Sequence, residues 1–234
     1  MELIFLDTET TGNDVSKDRL CQVCFKVGDL TRTEYFVPPV PMTIKSMSIT
    51  HITPQMFEGK VAFKESEMKA ELQKLLEEGI MVAHNARFDK AILEAEGMNI
   101  PRCIDTLRLA RYLDSEGVIP EYNLQYLRYY YELQIEGNPH DAEGDVNVLV
   151  GLFKKLLSIM VKGGMTEEEA IKKMIEISCN PSLYRVFNFG KHKDKLISDV
   201  VKTDKNYLEW LLAQKLTTND DEDWIYTLKH YLGK

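Results

Sequence analysis

No stretch of the 234-residue chain approaches the ~20 consecutive apolar residues that a membrane-spanning helix needs. Its first residues, Met1-Glu2-Leu3-Ile4-Phe5-Leu6-Asp7, lack the basic flank and small-residue cleavage site of a secretory signal. Cysteine is scarce, and four in a chain this long do not make a disulfide framework. Thirteen glycines and eight prolines are too few for a collagen-like or low-complexity chain. No internal repeat is visible. These absences leave a reduced, soluble, cytoplasmic protein as the expectation, and the 44% hydrophobic and 28% charged content suits it.

An excess of positive charge is missing too. Lys plus Arg is 29 against 37 for Asp plus Glu, a net charge of −8. Taken alone, that points away from nucleic acid. The charge is uneven, however: residues 181–234 carry nine basic and eight acidic side chains, so the deficit lies entirely upstream. An acidic metal site in the body and phosphate contacts in the tail would produce such a balance, and so would ordinary variation in composition.

What is present reads as α/β. Glu2 to Asp7 is a nearly continuous apolar run ending in an acid, as in a central strand buried on both faces. Leu20 to Val27 and Thr33 to Val37 are further strands, with Gly28-Asp29 as a turn signal between them. Pro38-Pro39-Val40-Pro41 opens a loop reaching about Lys60. Met68, Leu72, Leu75 and Leu76 predict a helix ended by Gly79. Strands are expected at Ile80–Ala83 and Ile100–Ile104, and helices over 86–96, 105–113 and 123–133. From Ala142 the stripe Val146, Leu149, Val150, Phe153, Leu157 is the clearest amphipathic helix. Gly163-Gly164 ends it, and Thr166 to Glu169 fits a capping box for the next one. Three units follow: a body over 1–165, a connecting helix over 166–180, and a small α+β C-terminal domain over 181–234 with two short helices around Leu208 and Leu228.

Carboxylates collect at the element ends. Asp7 and Glu9, two apart on an extended strand, point to the same side. Ligand crevices of open α/β sheets lie beyond the carboxyl ends of such strands. Acids there are costly to bury without a compensating cation. His84-Asn85-Ala86-Arg87-Phe88-Asp89 turns a strand into a helix; taken alone, Asp89 is a helix-start acid. Asp145 lies three residues after Ala142 and four before Leu149, on the buried stripe of its helix, where an unpartnered acid is rare. His140 stands at that helix's entrance. Together the four carboxylates can converge on a pair of hard cations, Mg²⁺ or Mn²⁺, of the kind that stabilises attacking and leaving oxygens in phosphoryl displacement.

Asp7-Thr-Glu9-Thr10-Thr-Gly12, His84-Asn-Ala-Arg-Phe88-Asp89 and His140 followed five residues later by Asp145 resemble the three motifs of the DEDDh (DnaQ-like) 3′–5′ exonucleases. The position a tyrosine would take in the tyrosine subclass is Asp141. The resemblance implies a ribonuclease H-like mixed sheet flanked by helices. It implies two metal ions held by Asp7, Glu9, Asp89 and Asp145, with Asp7 bridging them, and His140 as the base that deprotonates water. It further implies that Thr10, Met47 and His51 contact the terminal nucleotide, with Asn85 and Phe88 beside it. Ile49-Thr-His-Ile-Thr53 is similar to the family's His-Gly-Ile-Thr segment, with Thr50 where His is usual and His51 where Gly is usual.

The tail segments Phe187-Asn-Phe189-Gly-Lys191-His-Lys193-Asp-Lys195, Tyr207 to Leu211 and Thr227 to Leu232 resemble the small C-terminal domain of one branch of that family. Lys191, Lys193 and Lys195 on a turn beside aromatics would suit phosphate contact. Phe187, Phe189 and Trp210 are expected in a small core. Cys21 and Cys24 form a C-x-x-C, but three apart on a strand they face opposite ways, and no second pair completes a zinc site. The expected partner is DNA with a free 3′ end. An RNA-trimming exoribonuclease, a polymerase proofreading subunit and a non-catalytic nucleic-acid-binding protein are the competing readings.

Overall fold

A computed structural model describes residues 1–135, 142–218 and 221–234 of the protein. The body is built on β1 (Leu3–Thr10), β2 (Leu20–Val27), β3 (Leu30–Tyr35), β4 (Ile80–Ala83) and β5 (Cys103–Asp105). Its helices are α1 (Ile44–Thr50), α2 (Glu67–Glu78), α3 (Ala86–Ala95), α4 (Thr106–Leu113), α5 (Leu124–Tyr130), α6 (Ala142–Lys162) and α7 (Glu167–Ser178). The sheet order is β3-β2-β1-β4-β5, antiparallel on the β2 side of β1 and parallel on the β4 side. This is the mixed, helix-flanked sheet that the sequence implied.

β1 lies at the centre, and its side chains alternate between two cores, as the pleat requires. Ile4 and Leu6 pack with Met68, Leu72 and Leu76 of α2 and Ile92 and Leu93 of α3. Leu3 and Phe5 pack on the opposite face with Leu149, Leu152 and Phe153 of α6. That second core also contains Ala170, Met174 and Ile177, so α7, expected as a connector, is packed into the body. Cys21 joins Met42, Ile52 and Phe57, whereas Cys24 joins Ala142 and Val146; the two thiols do face opposite ways.

The loop expected to run to Lys60 contains α1, whose seven residues bury only Ser46 and Thr50 and therefore leave no apolar stripe to read. Hydrogen bonds dock it instead: Thr43 N–H donates to Thr11 O (3.1 Å) and Ser46 Oγ donates to Thr10 O (2.5 Å). α1 is thereby tied to the end of β1.

Beyond Pro181 come α8 (Ile197–Thr203), α9 (Lys205–Thr218) and α10 (Glu222–Leu232). They enclose a core of Phe187, Ile197, Val200, Leu208, Leu212, Trp224 and Leu228, with Trp224 stacked on Phe187 at 5.3 Å. The β part of the α+β domain expected there is reduced, among the described residues, to one antiparallel bridge, Val186 with Leu196. Phe187 is buried and Phe189 packs against this core, but Trp210 is 55% exposed. The reason is helical phase. α9 buries Leu208 and Leu212, and a residue midway between them points away from the core. Among the described residues no helix is long and apolar enough to cross a membrane.

Candidate active site

The carboxyl end of β1 carries Asp7 and Glu9 on the α6 face and Thr8 and Thr10 on the α3 face. Helices from both faces bring acids to this edge. α3 starts at Asn85, whose left-handed backbone (φ 66°) turns the chain out of β4, and it presents Asp89 in its first turn. Asp89 is 4% exposed. Its Oδ1 accepts from Thr8 N–H (3.1 Å) and from Thr8 Oγ1 (2.7 Å), which ties α3 to the central strand. From the other face, Asp145 lies in the first turn of α6, where its Oδ1 accepts from Gln125 Nε2 at 2.5 Å.

Asp7 senses the charge of the other three acids, and Glu9 senses two of them. Burial pushes the Asp7 carboxyl well above the usual range, and the charges of Asp89, Glu9 and Asp145 push it further. Burial, then Asp145 and Asp89, raise Glu9 to about 7. Burial raises Asp89 to about 7 as well, although its bonds from Thr8 oppose the shift. Among the described residues no three acidic, histidine or cysteine side chains meet as a finished ligand cage. Asp89 is instead hydrogen-bonded to Thr8, and Asp145 to Gln125. The chemistry of the set nevertheless suits a hard divalent cation: its donors are carboxylate oxygens, and their mutual repulsion is relieved by positive charge.

These shifts make stability depend on pH with a definite sign. A carboxyl whose folded pKa lies above its unfolded value binds more protons folded than unfolded, so stability falls as pH rises through the interval between them. For Glu9 and Asp89 that interval runs from their ordinary values of 4.5 and 3.8 up to about 7. The metal-free protein is therefore expected to melt several degrees lower at pH 8 than at pH 5.5, since ~1 kcal/mol moves a domain of this size by ~2–4 °C. Added Mg²⁺ should recover more of that loss at pH 8 than at pH 5.5. Melting curves in chelator and in Mg²⁺ check this, and a melting temperature that rises with pH would refute it.

The residues expected around the terminal nucleotide border the same edge. Thr10 is buried with its Oγ1 donating to Gly12 O (2.6 Å). Met47 is half-buried on α1. His51 is exposed and caps that helix in the left-handed region (φ 58°), a conformation that favours glycine. Asn85 is exposed, and Phe88 packs partly into the α3-side core. His84 serves the fold: Nε2 donates to Tyr122 O (2.8 Å), Nδ1 meets Thr106 Oγ1 (2.9 Å), and burial lowers it to about 4. His140 and Asp141 lie outside the described residues. Lys191, Lys193 and Lys195 are all exposed, but Lys191 is paired with Asp204 (2.6 Å) and lies over the Tyr207 ring.

Three supporting residues were not singled out from the sequence. The only local signal for Thr8 is its place between two acids, and Gln125 has none because its partner is twenty residues away. Asp105 accepts at Oδ1 from both Asn85 N–H (3.0 Å) and Leu107 N–H (3.0 Å), fixing the turn into α3 while capping α4. Its signal was an acid closing a short apolar strand.

Comparison with known proteins places these features in company. Residues 4–153 match the family described as Exonuclease, and residues 187–215 match the exodeoxyribonuclease X-like C-terminal family. The chain is 31% identical to exodeoxyribonuclease 10 of Escherichia coli K12 over 98% of both chains. It is 28% identical to the DNA polymerase III epsilon subunit of Treponema pallidum, covering 73% of this chain and 85% of that one. Among solved structures, exonuclease X in complex with 5′ overhanging duplex DNA matches with a TM-score of 0.57 and 23% identity. That match covers 75% of this chain and 99% of the other. Escherichia coli exonuclease I, in a zinc-bound complex with single-stranded DNA, matches with a TM-score of 0.56 and 23% identity, over 68% and 40% of the two chains. The Exonuclease family is in general metal-dependent.

Proposed function

The chain belongs to the Exonuclease family, and from that premise we propose that it is a 3′–5′ DNA exonuclease that releases nucleoside 5′-monophosphates. One observation carries the chemistry: four carboxylates from three elements and both faces of the sheet gather at the end of the central strand, where Asp7 feels the charge of the other three and Glu9 that of Asp145 and Asp89. The reading rests further on the exodeoxyribonuclease relative, whose similarity spans body and tail alike.

Asp7, Glu9, Asp89 and Asp145 would hold two ions, Mg²⁺ or Mn²⁺, which when bound supply charge stabilisation at the scissile phosphate. Thr8 holds Asp89 in place, and Gln125 orients Asp145. His140, five residues ahead of Asp145, takes the proton of the attacking water; an imidazole with an ordinary pKa of ~6.5 suits that task near neutrality. Thr10, Met47 and His51 line one side of the 3′-terminal nucleotide, and Asn85 and Phe88 the other. Lys193 and Lys195, exposed on the tail's turn, offer phosphate contacts away from the cleft, with Lys191 held back by Asp204. The body through α7 is the catalytic domain, and residues 181–234 form a second unit with its own core.

Sugar preference rests on contacts near the 2′ position. Side-by-side digestion of 3′-labelled DNA and RNA of one sequence, with and without Mg²⁺, tests the assignment. DNA is expected to be shortened from its 3′ end only with the metal present. Faster digestion of RNA would make the protein an exoribonuclease of the same family.

A further inference from the structure

The acidic side chains at the start of α10 reach back across the molecule to the two helices that frame the cleft. Glu222 Oε1 accepts from Arg87 Nη1 (2.6 Å) on α3 and from Arg108 Nη2 (2.5 Å) on α4. Asp223 is the deeper of the pair. It takes Arg108 Nη2 (3.4 Å), Arg111 Nη1 (3.4 Å), Ser182 N–H (2.9 Å) and Tyr184 Oη (3.4 Å). Arg108 is 5% exposed and also donates to Ser178 O (2.9 Å) and Asn180 O (2.6 Å), the end of α7 and the start of the tail. Arg111 lies over the Tyr184 ring at 4.8 Å.

Two routes lead from this network to the catalytic turn. Arg87 precedes Asp89 by two residues on α3. Arg108 lies one turn beyond Asp105, whose Oδ1 holds Asn85 N–H and so fixes the left-handed residue from which α3 departs. Asp105 N–H in turn donates to Ser178 Oγ (2.8 Å), which joins the end of α7 to the same assembly. The start of α3 is therefore gripped both at its own side chain and at the cap that precedes it.

We propose that Glu222 and Asp223 are positioning residues of the exonuclease site: the C-terminal unit sets the placement of α3, and with it Asp89, through Arg87, Arg108 and Arg111. Energetics favour Asp223 as the principal residue. An exposed pair such as Arg87 with Glu222 contributes little by itself. Asp223 holds Arg111 and Arg108 together with Ser182 N–H and Tyr184, so although Arg108 keeps Glu222 when Asp223 is changed, Arg111 loses its paired acid and the surrounding helices must shift to reach water or another partner. This role adds a second task for the tail to the expectation drawn from the sequence, in which the catalytic residues lie upstream and the tail's lysines would suit phosphate contact.

The test rests on the exonuclease reading and uses the full chain with a short 3′-labelled single-stranded DNA, too short to span body and tail. Asp223→Asn and Glu222→Gln are compared with the wild type for kcat, KM and the Mg²⁺ concentration giving half-maximal rate. Displacement of a reacting group by 1 Å can cost ~10²-fold, so a partial shift of α3 should lower kcat by roughly tenfold in Asp223→Asn and less in Glu222→Gln. KM should stay within about twofold, because interactions made with substrate in ground and transition state alike are untouched. The Mg²⁺ midpoint should rise. Glu222 is half-exposed, so its variant keeps the test alive if Asp223→Asn melts below the assay temperature. An unchanged kcat in both variants, or a raised KM with kcat intact, would overturn the proposal and make the tail a substrate-holding or purely stabilising unit. An inactive wild type would instead overturn the exonuclease reading itself.

Discussion

Replacing Asp7 with Ala should abolish hydrolysis while leaving the protein folded. Asp7 lies in the carboxyl half of the central strand, and its carboxyl interacts with all three of the other acids. Loss of charge stabilisation worth several kcal/mol at the phosphate corresponds to a rate loss of ~10³-fold or more. Stability should move the other way. Burial and three like charges raise the Asp7 carboxyl, so at neutral pH its ionised form opposes folding when no cation is present. The metal-free variant should melt at or above the wild-type temperature at pH 8, and Mg²⁺ should stabilise it less. Asp145→Ala should lose activity similarly, but it also removes the partner of Gln125. Single-turnover hydrolysis and melting curves of the same preparations test both statements. Activity within about tenfold of wild type in Asp7→Ala would remove the carboxylate set from the chemistry.

Replacing His140 with Ala is expected to slow turnover by roughly 10²–10⁴-fold, the usual contribution of a positioned base. Because the four carboxylates remain, Mg²⁺ stabilisation against heat should be largely retained. The pH profile separates this role from a structural one. With an imidazole as base, the rate should climb through the region of its ordinary pKa of ~6.5 and level off above it. The variant should lose that limb and gain more from added hydroxide. A variant within about threefold of wild type would show that water is activated without an imidazole.

The site was legible in the sequence where its residues lie on short, strongly patterned elements. Asp7 and Glu9 could be placed on one face because β1 is apolar before them, and Asp145 because α6 has a clear stripe. Asp89 was ambiguous in isolation, and the structure gives it two duties: it ties α3 to the central strand through Thr8 and joins the acidic set. The contacts that hold the acids were less readable. Thr8 with Asp89, Gln125 with Asp145 and Asp105 with Asn85 are side-chain hydrogen bonds between elements, and no periodicity reports such bonds. The tail showed the same limit. Phe187 and Phe189 were expected in its core and pack there, Trp224 carried no signal of its own, and the 114-residue separation of Arg108 and Glu222 hides how the tail meets the body. Trp210 was misjudged because aromatic character was weighed above helical phase. α1 was missed because hydrogen bonds from Thr43 and Ser46, rather than an apolar face, hold it in place.

The most direct test of the account follows the products of a 5′-labelled duplex with a free 3′ end, first in excess chelator and then after Mg²⁺ is added back. Four carboxylates without their cations should leave the strand intact, and restoring the metal should shorten it stepwise from the 3′ end while nucleoside 5′-monophosphates accumulate. Full hydrolysis in chelator, or products carrying 3′-phosphates, would contradict a metal-dependent 3′–5′ exonuclease built on Asp7, Glu9, Asp89 and Asp145.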